Sequence, residues 1–425
     1  MAVEAVKARA QPAPRIESSR SRTPVDGASA GLRIGRRSYA AATVALLGAL
    51  AACTGESSVE SGEAGAGSLP PSPSATSMFE GHQQQLGQVV AAVPGAREAT
   101  ELLIRSGRAD QVYRNPSTGT SNSALGYLVT LATASPTEWD LPFTPMGRES
   151  FVATLAEEAA DPDRNLEQGD SGTCAIADAA NAMFVQNAAQ GIAVGADLAL
   201  KGSAKLPGSK NINVQREYLH LRPTDSRSLS DMVIGEALAD LAVELNAPQM
   251  DYDASRLQNL GFSEEQSAKL YAQIFGTPYF GRSTFMFTYS PETVALNKVK
   301  DPKLAAFMME QNVQKNILNS AIYNVLKNYS AEAPIELSVV LRIGDDWIGH
   351  ALRFVKLEET SRGIFVMARN PWGSVNQRTK NVYETAGLPV SRGDLGVIRL
   401  PLSRISGFVV PSELVEINPG LTAGV

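Results

Sequence analysis

From residue 79 to 329 the apolar residues recur mainly at intervals of three and four, the period of a helix with one buried face. Leu86, Val89, Val90 and Val93, then Leu102 and Leu103, predict helix over 79–107, broken near Pro94-Gly95. A polar loop at 114–123 precedes a second apolar segment, Ala124–Ala134. Phe151–Ala160 predicts a short helix that Asp161-Pro162-Asp163 ends. The run from Cys174 to Val185 is rich in alanine and larger apolar residues and suits a buried helix. Residues 231–246 read as amphipathic, with Ile234, Leu238, Leu241 and Leu245 on one face. Ser263 and Gln266 form a capping box that opens a helix closed by Gly276, and Asp301-Pro302 opens a longer helix towards Tyr329. From Leu337 onward the period becomes two. Leu337–Ile343, Ile348–Leu357, Ile364–Arg369, Gly396–Leu400 and Ile405–Val410 predict strands. Helices first and strands second imply an α+β fold, a helical half packed against an antiparallel β half.

The N-terminal 78 residues follow neither period. Residues 1–53 carry eight Lys/Arg against three Asp/Glu, which leaves residues 54–425 with 30 against 41, a net charge of −11. So acidic a body argues against a nucleic-acid partner and gives no basic patch for a membrane surface. Residues 40–52 are an uncharged apolar run of 13, too short for a bilayer anchor and suited to the core of a signal peptide. Residues 54–78 are rich in Ser, Gly, Pro and Glu and cannot bury a core, so they read as a flexible tether.

Candidate chemistry gathers at three places. Gln168, Gly169 and Gly172 lead into Cys174, which the pattern places at a helix N-terminus, where free backbone N–H groups and the helix dipole favour a thiolate. His350 lies on a predicted strand, sharing a face with Ile348, Leu352 and Phe354. The next strand runs out into Asn370-Pro371-Trp372-Gly373. A hairpin centred near Thr360 would make His350 and Asn370 cross-strand neighbours, so that the amide oxygen could orient the imidazole and fix its tautomer. Thiol, imidazole and orienting amide together form a nucleophilic unit. Taken singly, Cys174 could be a small core residue, His350 a satisfied core histidine and Asn370 a strand cap. His220, the other histidine in an apolar setting, has no such partner. Asp178 falls one helical turn beyond Cys174; left unpaired there it would raise the thiol pKa, whereas hydrogen-bonded it would be structural. With two cysteines and three histidines, a Cys/His zinc cluster is not expected.

Gln168 through Cys174, Gly349-His350-Ala351 and Arg369-Asn370-Pro371-Trp372-Gly373 together resemble the active-site blocks of papain-like cysteine proteases, with the form closest to the calpain-type catalytic core. The order Cys, His, Asn and the six-residue step from Gln168 to Cys174 agree with that family. The resemblance implies a papain-like fold over residues 140–412 and a cysteine peptidase acting on protein or peptide substrates without a cofactor. By it Cys174 is the nucleophile, His350 the base and then acid, Asn370 the orienter, Gln168 an oxyanion-hole donor and Trp372 a shield over the His350–Asn370 bond. The sequence departs from the family at Ala175, where a Trp is usual, and at Asp178, where a small residue is usual. No calcium-binding residues can be matched, so calcium dependence is not carried over. Leu50-Ala51-Ala52-Cys53 resembles the lipobox of bacterial lipoproteins, which implies lipid on Cys53 and an extracytoplasmic protein, anchored to a bacterial membrane or released after processing; a monomer is expected. Residues 1–53 would then be the signal segment, 54–78 the tether, 79–139 a helical extension or propeptide, 140–412 the catalytic domain and 413–425 a tail. Two other functions remain open: a transglutaminase-like acyl transferase, disfavoured because such enzymes generally carry Asp where Asn370 stands, and a non-catalytic binding module of the same fold.

Overall fold

Two ways of hiding apolar surface account for the architecture of the computed structural model, which describes residues 75–166, 174–214, 227–246, 263–283, 320–329, 333–343, 346–361, 363–371, 397–418 and 421. Helices bury stripes against one another in the first half. They are α1 (Ala75–Ala92), α2 (Arg97–Arg105), α3 (Ala124–Thr133), α4 (Pro145–Ala160), α5 (Pro162–Asn165), α6 (Cys174–Gln186), α7 (Ala188–Lys201), α8 (Leu229–Asn246) and α9 (Glu264–Phe275). Two small antiparallel hairpins interrupt them, β1 (Val112–Arg114) with β2 (Ser121–Ser123), and β3 (Ser203–Lys205) with β4 (Asn211–Asn213). A sheet forms the second half from β5 (Tyr279–Ser283), β6 (Glu336–Ile343), β7 (Asp346–Thr360), β8 (Gly363–Arg369), β9 (Val397–Pro401) and β10 (Ile405–Pro411). Its spatial order is β5-β10-β6-β7-β8-β9, and every pairing is antiparallel. The fold is α+β.

Each half has its own core. Leu103, Leu125, Leu128, Phe151, Leu155, Phe184, Leu198, Ile234 and Leu238 are all fully buried in the helical one. That core takes residues from both sides of the boundary expected at 139/140, and Trp139 packs edge-on against Phe151 with ring centroids 6.1 Å apart. The sheet core is built on Leu337, Leu352, Val366, Leu400 and Phe408, with Ile322, Val325 and Leu326 of the helical residues 320–327 packed against it. Among the described residues, no helix is long and apolar enough to cross a membrane.

Three elements differ from the sequence expectation, each for a local reason. Helix α4 begins at Pro145 rather than Phe151, because the Thr144 hydroxyl accepts from the Gly147 N–H and Pro145 occupies the first turn. Helix α8 is not amphipathic. Met232, Val233 and Ile234, then Ala237, Leu238 and Ala239, are buried in consecutive triplets, so most of the helix surface faces protein, with Glu244 near its end exposed. It packs against α4, α6, α7 and α9 as a central element. The supposed loop at 114–123 carries the end of β1 and all of β2. The capping box at Ser263 and Gln266 and the left-handed Gly276 (φ 71°) bound α9 as the sequence implies. Most of the helix expected from Asp301 lies outside the described residues.

Candidate active site

Helix α6 starts at Cys174. Ala175, Ile176, Ala179, Ala180, Ala182, Met183 and Phe184 are buried, which fixes the helix in the core and with it the position of its first residue. Helix α6 packs on β7, the strand that carries His350. The contact brings the thiol close enough to Ala351, the residue after His350, for its backbone N–H to favour the thiolate.

His350 is 3% exposed and Asn370 fully buried, and His350 Nε2 lies 2.7 Å from Asn370 Oδ1. An amide oxygen only accepts, so Nε2 carries the proton and Nδ1 of the neutral ring holds the basic lone pair. The two residues are not opposite each other, as a hairpin centred at Thr360 would require. Thr360 pairs with Gly363, and a bulge between Phe354 and Lys356 shifts the ladder so that Arg353 pairs with Arg369. Continuing that register by one residue places Asn370 beside Leu352, two residues from His350. Diagonal neighbours are about 7–8 Å apart in the backbone, which an imidazole and an amide can span.

The protonation states differ from the sequence expectation of a thiolate. Cys174 is half-buried as a residue, and burial pushes its thiol up to about 11. The backbone N–H groups of Ala351 and Ala175 oppose that shift, while the carboxyls of Glu336 and Asp178 add to it. Burial also pushes His350 down to about 4, with the Asn370 hydrogen bond opposing. The resting pair is therefore a neutral thiol and a neutral imidazole, because desolvation outweighs the donors at the helix start.

Asp178 is fully buried and its Oδ2 accepts from the Tyr271 hydroxyl at 2.8 Å, the hydrogen-bonded alternative of the sequence reading. Burial raises its carboxyl to about 7, against the Tyr271 bond and the nearby Arg353 and Arg369 guanidiniums. Glu336, 2% exposed on β6, is a second carboxyl in this neighbourhood, held well above the ordinary range by burial and then by Asp178. Asp178 Oδ1 and Glu336 Oε2 have no hydrogen-bond partner among the described residues. That suits protonated acids better than two buried anions.

Of the residues singled out in the sequence, the structure pairs His350 with Asn370 and sets the helix that begins at Cys174 against the strand of His350. Gln168, Trp372, Cys53 and the rejected His220 lie outside the described residues. Tyr271, Glu336, Asp163, Arg353 and Asn181 surround the site without having been anticipated. The one signal for them was Arg353, a charge inside an apolar strand between Leu352 and Phe354. Among the described residues, no group of three or more His, Cys, Asp or Glu side chains is placed to hold a metal ion. The sequence matches no protein-family model and no curated protein.

Proposed function

We propose that the protein is a cysteine peptidase of papain-like fold, hydrolysing peptide bonds through a thioester on Cys174. The observation that carries this is the His350 Nε2–Asn370 Oδ1 bond of 2.7 Å, made from the strand that packs against the helix beginning at Cys174. A neutral pair works by general-base catalysis. As sulfur attacks the scissile carbonyl carbon, its proton passes to His350 Nδ1 and the carbonyl oxygen becomes an oxyanion. The backbone N–H of Cys174 and the side chain of Gln168 are its proposed donors, each such donor being worth about 100- to 1000-fold in rate. Collapse breaks the C–N bond, and the imidazolium gives its proton to the leaving amine. Water then attacks the thioester with His350 as base, which releases the acid and restores the thiol. Asn370 keeps Nδ1 aimed at the reacting atoms throughout. In the same proposal Cys53 bears lipid and holds the enzyme on the outer side of a bacterial membrane.

A non-catalytic binding module is the second reading, favoured by the thiol pushed up to about 11. Incubating the full chain with a peptide library, with and without an amine acceptor, separates the possibilities. Cleavage that disappears in Cys174→Ala supports the peptidase, amine incorporation supports acyl transfer, and binding without turnover supports the module.

A further inference from the structure

Two arginines are buried beside the site, and both need counter-charges. Arg353 on β7 and Arg369 on β8 are register partners, 7% and 2% exposed. An unpaired guanidinium at such depth is strongly destabilising, so the groups that satisfy the pair are fixed by necessity. The partly exposed carboxylate among them is Asp163 of α5, whose side chain is 42% exposed. Its Oδ1 contacts Arg353 Nη2 directly and lies 3.8 Å from Arg369 Nε.

The remaining donors of the two arginines reach each part of the site. Arg353 Nε donates to Asn181 Oδ1 at 2.7 Å, and Asn181 lies on α6, the helix that begins at Cys174. Asn181 Nδ2 in turn donates to the Pro162 carbonyl at 2.8 Å, which ties α6 to α5. Arg369 Nη1 donates to the carbonyl of Asn370, and Nη2 to the carbonyl of Leu166 at 3.2 Å. Leu166 is the residue two before Gln168. One carboxylate thus links the thiol-bearing helix, the imidazole-bearing strand, the orienting amide and the stem leading to Gln168.

We infer that Asp163, Arg353 and Arg369 form a positioning clasp that sets the His350–Asn370 pair in register with Cys174. This rests on the peptidase reading for its consequence in turnover, though not for its geometry. Asp163 is the informative member because it is partly exposed. Removing its charge opens no core cavity, yet it leaves two buried cations sharing fewer anions, and β7 and β8 must shift to rehydrate them.

The test compares the full-length wild type with Asp163→Asn and Asp163→Glu by three readouts: kcat and KM on a cleaved peptide, the His350 titration by ring-nitrogen NMR, and thermal unfolding. His350→Gln assigns the resonance. Asp163→Asn should lower kcat by about 10- to 100-fold with KM within about twofold, since a displacement of an ångström is enough for such losses. In the same variant His350 should titrate higher than its wild-type value of about 4, as water reaches the loosened ring. Asp163→Glu, which keeps the charge and adds one methylene, should fall between. Wild-type kcat together with an unchanged His350 titration in Asp163→Asn would overturn the clasp, whatever the melting temperature does. Should Asp163→Asn fail to fold, Asp163→Glu decides by the same two quantities. If the wild type cleaves no peptide, the peptidase reading fails, and the His350 titration still judges the clasp.

Discussion

His350 and Asn370 meet on the diagonal of the β7–β8 ladder, ring nitrogen to amide oxygen at 2.7 Å, with both side chains buried. With Oδ1 accepting from Nε2–H, Nδ1 is the basic nitrogen of the neutral ring, the one proposed to exchange a proton with sulfur. Asn370→Ala should therefore lower kcat by about 10- to 100-fold, short of the full 10²- to 10⁴-fold that loss of a general base costs, because the ring remains but is poorly aimed. Asn370→Asp would also accept from Nε2–H and should retain more activity than Asn370→Ala at neutral pH. Equal kcat in wild type and Asn370→Ala would remove Asn370 from the mechanism.

The neutral resting pair predicts two different pH profiles. Alkylation of Cys174 by iodoacetamide needs the thiolate, so its rate should keep climbing through alkaline pH towards about 11. Peptide hydrolysis needs the thiol and the unprotonated imidazole together. Activity should appear as pH rises through about 4, where His350 sheds its proton, and fade where the thiol is lost near about 11. A solvent deuterium effect on kcat should accompany proton transfer in the attack step. An alkylation rate already at its plateau at neutral pH, with thiolate absorbance to match, would restore the ion pair expected from the helix start.

The sheet half was legible because its strands alternate. All five predicted strand ranges agree with the structure to within three residues at each end, although β5 was not foreseen. The alternation could report neither the turn between Thr360 and Gly363, which moves the pairing three positions from a centre at Thr360, nor the bulge between Phe354 and Lys356, which takes one back, and so it misplaced Asn370 along the hairpin by two positions. The short hairpins escaped notice because Ser121–Ser123 and Asn211–Asn213 are polar and only three residues long. At the site, Cys174, His350 and Asn370 stood out by residue type and spacing. Their electrostatics did not, because burial is a property of the packed chain. Nothing in the sequence near Asp178 announces that its partner is Tyr271, 93 residues away.

Cys53 provides a prediction independent of the catalytic centre. The apolar run at 40–52 followed by Leu50-Ala51-Ala52-Cys53 predicts a mature chain beginning at Cys53 with a diacylglyceryl group on its sulfur. Intact-mass and N-terminal peptide analysis of protein taken from membranes checks this directly. Cys53→Ala should move the protein out of the membrane fraction. A wild-type chain that keeps residues 1–52, or an unmodified Cys53 thiol, would contradict it.

Asp178 and His350 should leave opposite marks on stability in nearly the same pH window. Burial raises Asp178 from 3.8 to about 7, so between those values the folded protein holds a proton that the unfolded chain has lost. Stability from this group is greatest at the acid end and falls as pH rises to about 7. Burial lowers His350 from 6.5 to about 4, so there the unfolded chain holds a proton that the folded protein refuses. Stability from this group is complete above pH 6.5 and is lost as pH falls towards about 4. Each group contributes a slope of about 1.4 kcal/mol per pH unit within its window. Other buried carboxyls with raised values, Glu158 and Glu336, add their own slopes to the wild type. The groups are therefore isolated by difference in urea unfolding across the window. Relative to Asp178→Asn, the wild type should lose stability as pH rises. Relative to His350→Gln, it should gain. The double variant should run parallel to the wild type between about pH 4 and 6.5, where the two slopes cancel. If the Asp178→Asn curve itself parallels the wild type, Asp178 is ionised throughout, held as an anion by Arg353 and Arg369. The thiol would then face a fixed negative charge at every working pH, the condition least compatible with turnover at Cys174.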